Sequence, residues 1–312
     1  MNSSLPVAVV GATGAQGGPV VEALLRAGRP VRALARSAGS LAPLAARGAQ
    51  VHPVDLSDAD GLTRAFEGVS GAFLHLPFVP VEPLVRAQAQ ALVTALRAAE
   101  VPLAVFTLSG PAASSPTGVA SFDTKAVAKS VLTGAGLPIV GFEPLGYLGN
   151  LSAPFSAPHV LHDGELRYPL PAGHRQPWVS TEDQAALAVA ALDRPDLAGR
   201  WFAVGELLTG PELAAGIGEG LGREVRYVPL EPADWARSLV PLMGPELSHA
   251  VADDYALLGR APQALELAPD TATVRRELGV PATPIAQWAA AQDWQGSAAI
   301  MAAVTAAAVA SR

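Results

Sequence analysis

Over about the first 145 residues, apolar runs of strand length alternate with segments whose apolar residues recur at helical spacing, and the alternation passes through six strands. The strands are expected over 6–10, 31–35, 50–53, 71–76, 103–109 and 138–142. The runs from Val7 to Val10 and from Leu103 to Leu108 are almost wholly apolar, as strands covered on both faces must be. Between the strands the pattern predicts helices over 19–27, stopped by Gly28, and over 40–47, 58–66, 84–99 and 124–134. Parallel strands cannot be joined by a two-residue hairpin. Each pair needs a crossover of a dozen or more residues, which these helices supply. The expected fold is therefore α/β, with a doubly wound parallel sheet.

Past Asn150 the rhythm breaks. The Pro- and His-bearing stretch 154–177 reads as loops with one short strand over 165–168. Ser180 with Asp183 then looks like the N-cap and capping box of a helix running to about Leu192, and Trp201 to Val204 reads as a strand returning to the first sheet. Further helices are expected over 210–222, from Pro232 and over 270–279, with a strand over 225–229. This suggests a first domain over 1–150 rejoined by about 176–205. A smaller C-terminal α+β lobe would comprise 151–175 and 206–294, followed by an Ala-rich tail over 295–312 that is either loosely held or a terminal helix packed on a partner, the former preferred. No repeat of solenoid or propeller length is present.

Composition removes several classes of function. With 312 residues, half of them hydrophobic, the chain can bury a full core as one large domain or two modest ones. It has no cysteine, so disulfides, thiol nucleophiles and thiolate metal sites are out, and a reducing cytoplasm is the natural compartment. No charged and apolar leader pattern precedes the first strand, and no apolar run approaches the length of a membrane span. A net charge of -7 with scattered Arg argues against nucleic acid as a partner. Of the 21 cationic side chains 19 are Arg and two are Lys, Lys125 and Lys129, so each Lys asks for a reason.

The turn after the first strand, Gly11-Ala12-Thr13-Gly14-Ala15-Gln16-Gly17-Gly18, carries the strongest chemical signal. Lying between a strand and a helix, its glycines allow a tight turn and a close approach of backbone to a pyrophosphate. The amides and dipole of the helix N-terminus favour the negative charge. Together with the sheet this makes a Rossmann-type dinucleotide site, with Gly11, Thr13, Gly14, Ala15, Gln16 and Gly17 against the cofactor. About 20 residues on, where an acidic side chain would take a ribose 2′-hydroxyl, the chain has Ala35-Arg36-Ser37. A guanidinium beside a hydroxyl suits a 2′-phosphate, so NADP(H) is the expected cofactor. Arg32 either assists or is an ordinary surface arginine. Asp55 and Leu56 sit either at the adenine edge or at the cap of the next helix.

These segments jointly resemble the NmrA-like group of atypical short-chain dehydrogenases, which includes NAD(P)H quinone reductases, dye reductases and redox-sensing regulators. The resemblance runs from Leu5 to Trp294. It is carried by the glycine turn, Val31-Arg32-Ala33-Leu34-Ala35-Arg36, Asp55-Leu56, Phe122-Asp123-Thr124-Lys125, Gly146-Tyr147-Leu148-Gly149-Asn150 and Trp178-Val179-Ser180-Thr181-Glu182-Asp183-Gln184-Ala185. It implies a cofactor across the carboxyl ends of the strands, touching Leu76, Pro77 and Pro144, with the nicotinamide near Lys125. Two departures accompany it. Where catalytic relatives place a Tyr four residues before the Lys, this chain has Ser121, although Ser109 stands where their active-site Ser would be. Glu143 occupies a position before Pro144 where the group usually shows Arg.

Lys125 is expected either to hold the nicotinamide ribose or to lie with Lys129 on a solvated helix face at i,i+4. Tyr147 and Phe78 are candidates for an aromatic wall against a flat substrate, or core residues. His75 and His174 are weak candidates for a proton donor. No metal motif appears, since His159, His162 and Asp163 form only a loose cluster; Ser109 lacks a G-x-S-x-G elbow, and no Walker lysine follows the glycine turn. Two functions remain: an NADPH-dependent reductase passing hydride directly to a quinone or similar conjugated small acceptor, with Lys125, Ser109 and Tyr147 at the reacting centre, or a non-catalytic NADP(H) sensor acting through protein partners. A homodimer, and a non-redox descendant with held cofactor, stay open.

Overall fold

In the computed structural model, which describes residues 4–77, 79–260 and 271–310, the apolar runs become strands β1 (Val7–Val10), β2 (Val31–Ala35), β3 (Gln50–Pro53), β4 (Gly71–His75), β5 (Ala104–Thr107) and β6 (Ile139–Pro144). They alternate with helices α1 (Gly17–Arg26), α2 (Ala38–Ala45), α3 (Ala59–Phe66), α4 (Glu82–Ala98) and α5 (Ala120–Gly134). The chain then leaves the sheet for β7 (Gly146–Tyr147), β8 (Glu165–Tyr168) and β9 (Arg175–Val179). It returns through α6 (Thr181–Ala191) to β10 (Trp201–Val204). The seven-stranded sheet has the order β10-β6-β5-β4-β1-β2-β3 and is parallel at every pairing. The expected doubly wound sheet is thus present, and its order reverses between β1 and β4.

The period of two along each strand separates two cores. Val9, Phe73 and Val105 face one side with Val21 and Leu24 of α1 and Leu187 and Ala188 of α6. Val10, Leu74 and Phe106 face the other with Phe66 of α3, Leu92 of α4 and Leu132 of α5. Phe73 and Phe106 are fully buried, and each contributes about 1.5–3 kcal/mol by leaving water.

A third core lies outside this sheet. It gathers Tyr168, Trp178, Trp235, Leu213, Ile217 and Trp288 around β11 (Glu206–Thr209), α7 (Gly210–Leu221), β12 (Arg226–Pro229), α8 (Pro232–Met243) and α9 (Pro245–Arg260). The chain ends with α10 (Ala272–Leu278), α11 (Ile285–Ala290) and α12 (Trp294–Ala310). Strands β11, β9 and β7 form a small mixed sheet and β12 pairs with β8 in parallel.

Three local expectations change. The stretch expected as loops contains β9 and a π-helical turn over His159–Asp163 besides β8. Ser180 caps α6 by accepting from the Asp183 amide at 3.0 Å, but Asp183 does not complete a capping box. Its carboxylate instead takes the Arg275 guanidinium at 3.0 Å and both the amide and hydroxyl of Thr283, at 3.0 and 2.6 Å, fastening the segment after α10 to α6. The Ala-rich tail is helical as far as Ala310. Rich in alanine, the best helix former, and without charge up to Ala310, the stretch forms α12, whose first residue Trp294 donates through Nε1 to the Ala289 carbonyl at 2.8 Å. Among the described residues no helix is long and apolar enough to cross a membrane, and no group of three His, Asp or Glu could hold a metal.

Candidate functional site

Because the sheet is parallel, the carboxyl ends of its strands share one edge. The strand order sets out along it, in a row, Pro144 ending β6, Ser109 after β5, Leu76 and Pro77 after β4, Gly11 after β1 and Arg36 after β2. Four strand spacings make this row ~19 Å long. It spans the switch point, where open α/β sheets bind their ligands.

The glycine turn is shaped by contacts no side chain would permit. Gly11 has φ +66°, and a Cβ there would lie 2.1 Å from His75 Nε2. At Gly17 a Cβ would stand 2.3 Å from the Gly11 carbonyl oxygen, so α1 begins directly on top of the turn. The Ala12 amide donates to the Leu34 carbonyl and the Gly14 amide to that of Gly11, which closes the turn. Thr13, Gly14 and Ala15 are exposed. Gln16, the N-cap of α1, makes no side-chain cap bond, and the first amides of a helix have no acceptor within it. An exposed backbone loop ending in an uncapped helix N-terminus fits a pyrophosphate.

At the far end of the row Arg36 is exposed, and Ser37 caps α2 by accepting from the Ser40 amide at 3.4 Å. A phosphate at this point would meet a guanidinium and the start of a helix. Arg32 does not join it: its guanidinium donates to the Ala65 and Glu67 carbonyls at 2.9 and 2.7 Å and to Gln50, closing the end of α3. The Asp55 carboxylate accepts from the Ser57 amide and hydroxyl at 2.9 and 2.6 Å, which holds it below the usual carboxylate range. Asp58, not Asp55, caps α3. Leu56 packs against the second core.

At the other end, Leu76, Pro77, Ser109, Ser121 and Lys125 line one cavity of about 20 Å³, room for a water-sized guest. Lys125 is not on a solvated face. It is 8% exposed, with its ammonium 4.7 Å from the centre of the Phe122 ring. Gly110 makes room for it, since a Cβ at that position would lie 2.7 Å from Lys125 Nζ. Burial pulls the ammonium below its ordinary lysine value, opposed by the Asp254 carboxylate. On the same face of α5, one turn before Lys125, the Ser121 hydroxyl hydrogen-bonds Asp254 of α9.

The other candidates have settled surroundings. Tyr147 does not line this cavity; its hydroxyl donates to Gln184 Oε1 at 3.0 Å, its ring packs on the first core, and burial raises its pKa far above the usual tyrosine value. His75 turns its ring onto the glycine turn, with Nδ1 3.3 Å from the Leu76 carbonyl, and burial lowers its pKa. His174 lies 3.2 Å from Gln176, also lowered by burial. Both are poor proton donors as they stand. His159 bonds Asp163 rather than a metal set. Phe78 lies outside the described residues.

The profile of the NmrA-like family matches residues 3–269. The chain belongs to the NmrA-like family. An NAD(P)H azoreductase from Xenophilus azovorans is 32% identical over 292 residues, 91% of this chain and 97% of that protein. Among solved structures, an NADPH-dependent quinone oxidoreductase from Escherichia coli superposes with a TM-score of 0.70 at 26% identity, covering 91% of this chain and 98% of the other. The triphenylmethane reductase of a Citrobacter species, complexed with NADP(H), gives a TM-score of 0.73 at 22% identity over 91% and 98%, a likeness of fold.

Within this NmrA-like chain both departures acquire a physical account. Glu143, unusual before Pro144, accepts from the Ala112 amide at 3.0 Å and pairs with the Lys129 ammonium, which also lies 5.1 Å from the Trp201 ring centre. The second lysine therefore answers the glutamate and pins the loop after β5 to β6. Replacing Glu143 by Ala leaves a backbone amide and a half-buried ammonium without their acceptor, and is expected to cost about 2 kcal/mol. A double-mutant cycle with Lys129→Ala, read by urea denaturation, should give a coupling of about 1 kcal/mol; strict additivity would refute the pairing. The other departure, Ser121, brings in Asp254, a residue the sequence pattern did not single out. Its one sequence signal is a carboxylate pair, Asp253-Asp254, inside an otherwise largely apolar helical segment.

Proposed function

We propose that this chain binds NADP(H) along the strand-end row and reduces a quinone, an azo compound or a similar conjugated small molecule. The observation that supports it most is the alignment, on one sheet edge, of the exposed glycine turn with a cavity holding Ser109 and a buried Lys125. The azoreductase relative and the quinone oxidoreductase neighbour act on acceptors of this kind by name.

In this reading the turn and the α1 N-terminus take the pyrophosphate, Arg36 the 2′-phosphate, and Leu76, Pro77 and Pro144 the flat faces nearer the nicotinamide. Lys125, a cation in a poorly solvated place, holds the ribose hydroxyls and so fixes the ring above the strand ends. When bound, the reduced nicotinamide supplies a hydride. Tyr147 contributes by bracing the β6–β7 connection through Gln184 rather than by giving up its proton.

The deciding experiment is a fluorescence titration of the purified protein with NADPH, followed in the same cuvette by absorbance loss at the NADPH band after a simple quinone is added. Binding with turnover is the expected result. Binding without turnover across quinone, azo and triarylmethane acceptors would replace the reductase by a cofactor sensor, and no binding would overturn the reading altogether.

A further inference from the structure

The Ser121 hydroxyl and the Lys125 ammonium, one helical turn apart on α5, line the same cavity, and a single carboxylate from the small lobe hydrogen-bonds Ser121 and electrostatically favours the charge of Lys125. Asp254 hydrogen-bonds Ser121 and is the charge that opposes the burial of Lys125. Its place on α9 is fixed by its neighbour: the Tyr255 hydroxyl pairs with that of Tyr168, and the Tyr255 ring meets Trp235 edge-on at 4.9 Å. The residue is thus held by a packed aromatic cluster and is half-buried.

We propose that Asp254 is the acid of this reductase, delivering the proton that accompanies hydride through the Ser121 hydroxyl. The proposal rests on the reductase reading above. Reduction of a quinone to its hydroquinone takes one hydride and one proton and leaves the nicotinamide oxidised. The Ser121 O–H bond breaks as its proton goes to the reduced quinone oxygen, the Asp254 proton passes to Ser121 Oγ, and the carboxylate regains a proton from solvent. With Asp254 ionised Ser121 donates to it; with Asp254 protonated the bond reverses and the hydroxyl proton is directed away. Burial raises the Asp254 pKa above the ordinary carboxylate range, the direction an acid near neutrality needs, although Lys125 partly opposes it. The titratable groups facing it are Lys125 from α5 and Asp253 and Tyr255 from its own helix.

The test uses two acceptors that differ in proton demand. A cationic triarylmethane dye becomes its neutral leuco form by taking hydride alone, whereas a quinone needs the proton as well. In Asp254→Asn the ratio of quinone to dye turnover is expected to fall on the order of 10²-fold near neutral pH, and in Ser121→Ala by about tenfold or more. A ratio equal to wild type in both variants would overturn the relay. Wild type reducing neither acceptor would instead overturn the reductase reading. A measurement without cofactor keeps the acid itself testable. A folded-state pKa above the unfolded value stabilises fully below the unfolded value and loses that contribution as pH rises through the folded one. Asp254→Asn should therefore gain stability relative to wild type as pH climbs above the ordinary carboxylate range. A difference flat with pH over that range would show an ordinary carboxylate and sink the assignment.

Discussion

Gly17→Ala is expected to weaken NADPH binding on the order of 10²-fold, while Gly18→Ala, its immediate neighbour, leaves affinity near wild type. The two substitutions add the same methyl group to the first turn of α1. At Gly17 the Cβ would stand 2.3 Å from the Gly11 carbonyl oxygen and 2.9 Å from that of Val10, so backbone must separate from backbone. The N-terminus of α1 would have to move back by roughly 1 Å, taking its amides out of reach of a pyrophosphate; charge-assisted bonds of this kind are each worth about 1.5–3 kcal/mol. Overpacking adds about 1–3 kcal/mol of lost fold stability. At Gly18 the nearest atom to a new Cβ is 3.7 Å away, an ordinary contact, and the exchange of Gly for Ala in a helix gains up to about 1 kcal/mol. Fluorescence titration and thermal unfolding of the pair decide the matter. Equal affinities in the two variants would mean that the turn does not cradle the ligand.

The contrast shows what kind of information the sequence held. The central strands of the main sheet were legible because burial on both faces writes a continuous apolar run, and the returning strand Trp201–Val204 carries the same mark, whereas the exposed edge strand Gln50–Pro53 does not. β9 was not, because its buried positions are Gln176, Pro177, Trp178 and Val179, a mixture with no period. Helix α9 was hidden for a similar reason: its buried positions are Ser248, Ala252 and Leu258, of which only the last is a large apolar residue, so its apolar content marks no clear stripe. The site followed the same division. Gly11, Gly17 and Arg36 stand at fixed places in one strand-turn-helix-strand unit, where local sequence determines position. Lys125 could be singled out by the scarcity of lysine, but its burial depends on Gly110 of a different segment. Asp254 lies 133 residues from Ser121, and only the docking of α9 on α5 brings them together. A partner chosen by tertiary packing leaves no spacing to read.

Cofactor preference should shift strongly on changing Arg36. Arg36→Glu is expected to reduce the preference for NADPH over NADH on the order of 10²-fold or more, chiefly by loss of NADPH affinity. The side chain is exposed at the end of β2, and Arg32 of the same strand does not stand ready to replace it, being bonded to the Ala65 and Glu67 carbonyls and to Gln50. Substitution removes a guanidinium suited to a forked bond with phosphate and puts a carboxylate facing the same phosphate. Toward NADH the new carboxylate is an acceptor for the 2′-hydroxyl, the arrangement found where dinucleotide sites select NAD. The Ser37 cap of α2 and the Asp55 turn use none of the atoms exchanged, so the local fold should persist. Titrating both cofactors into wild type and variant at low and high salt checks the mechanism as well as the outcome. A 2′-phosphate held by an exposed guanidinium is screened, so the wild-type preference for NADPH should shrink as salt rises and that of the variant should change little. If relative affinities stay unchanged in Arg36→Glu, the phosphate lies elsewhere and the residue is only surface.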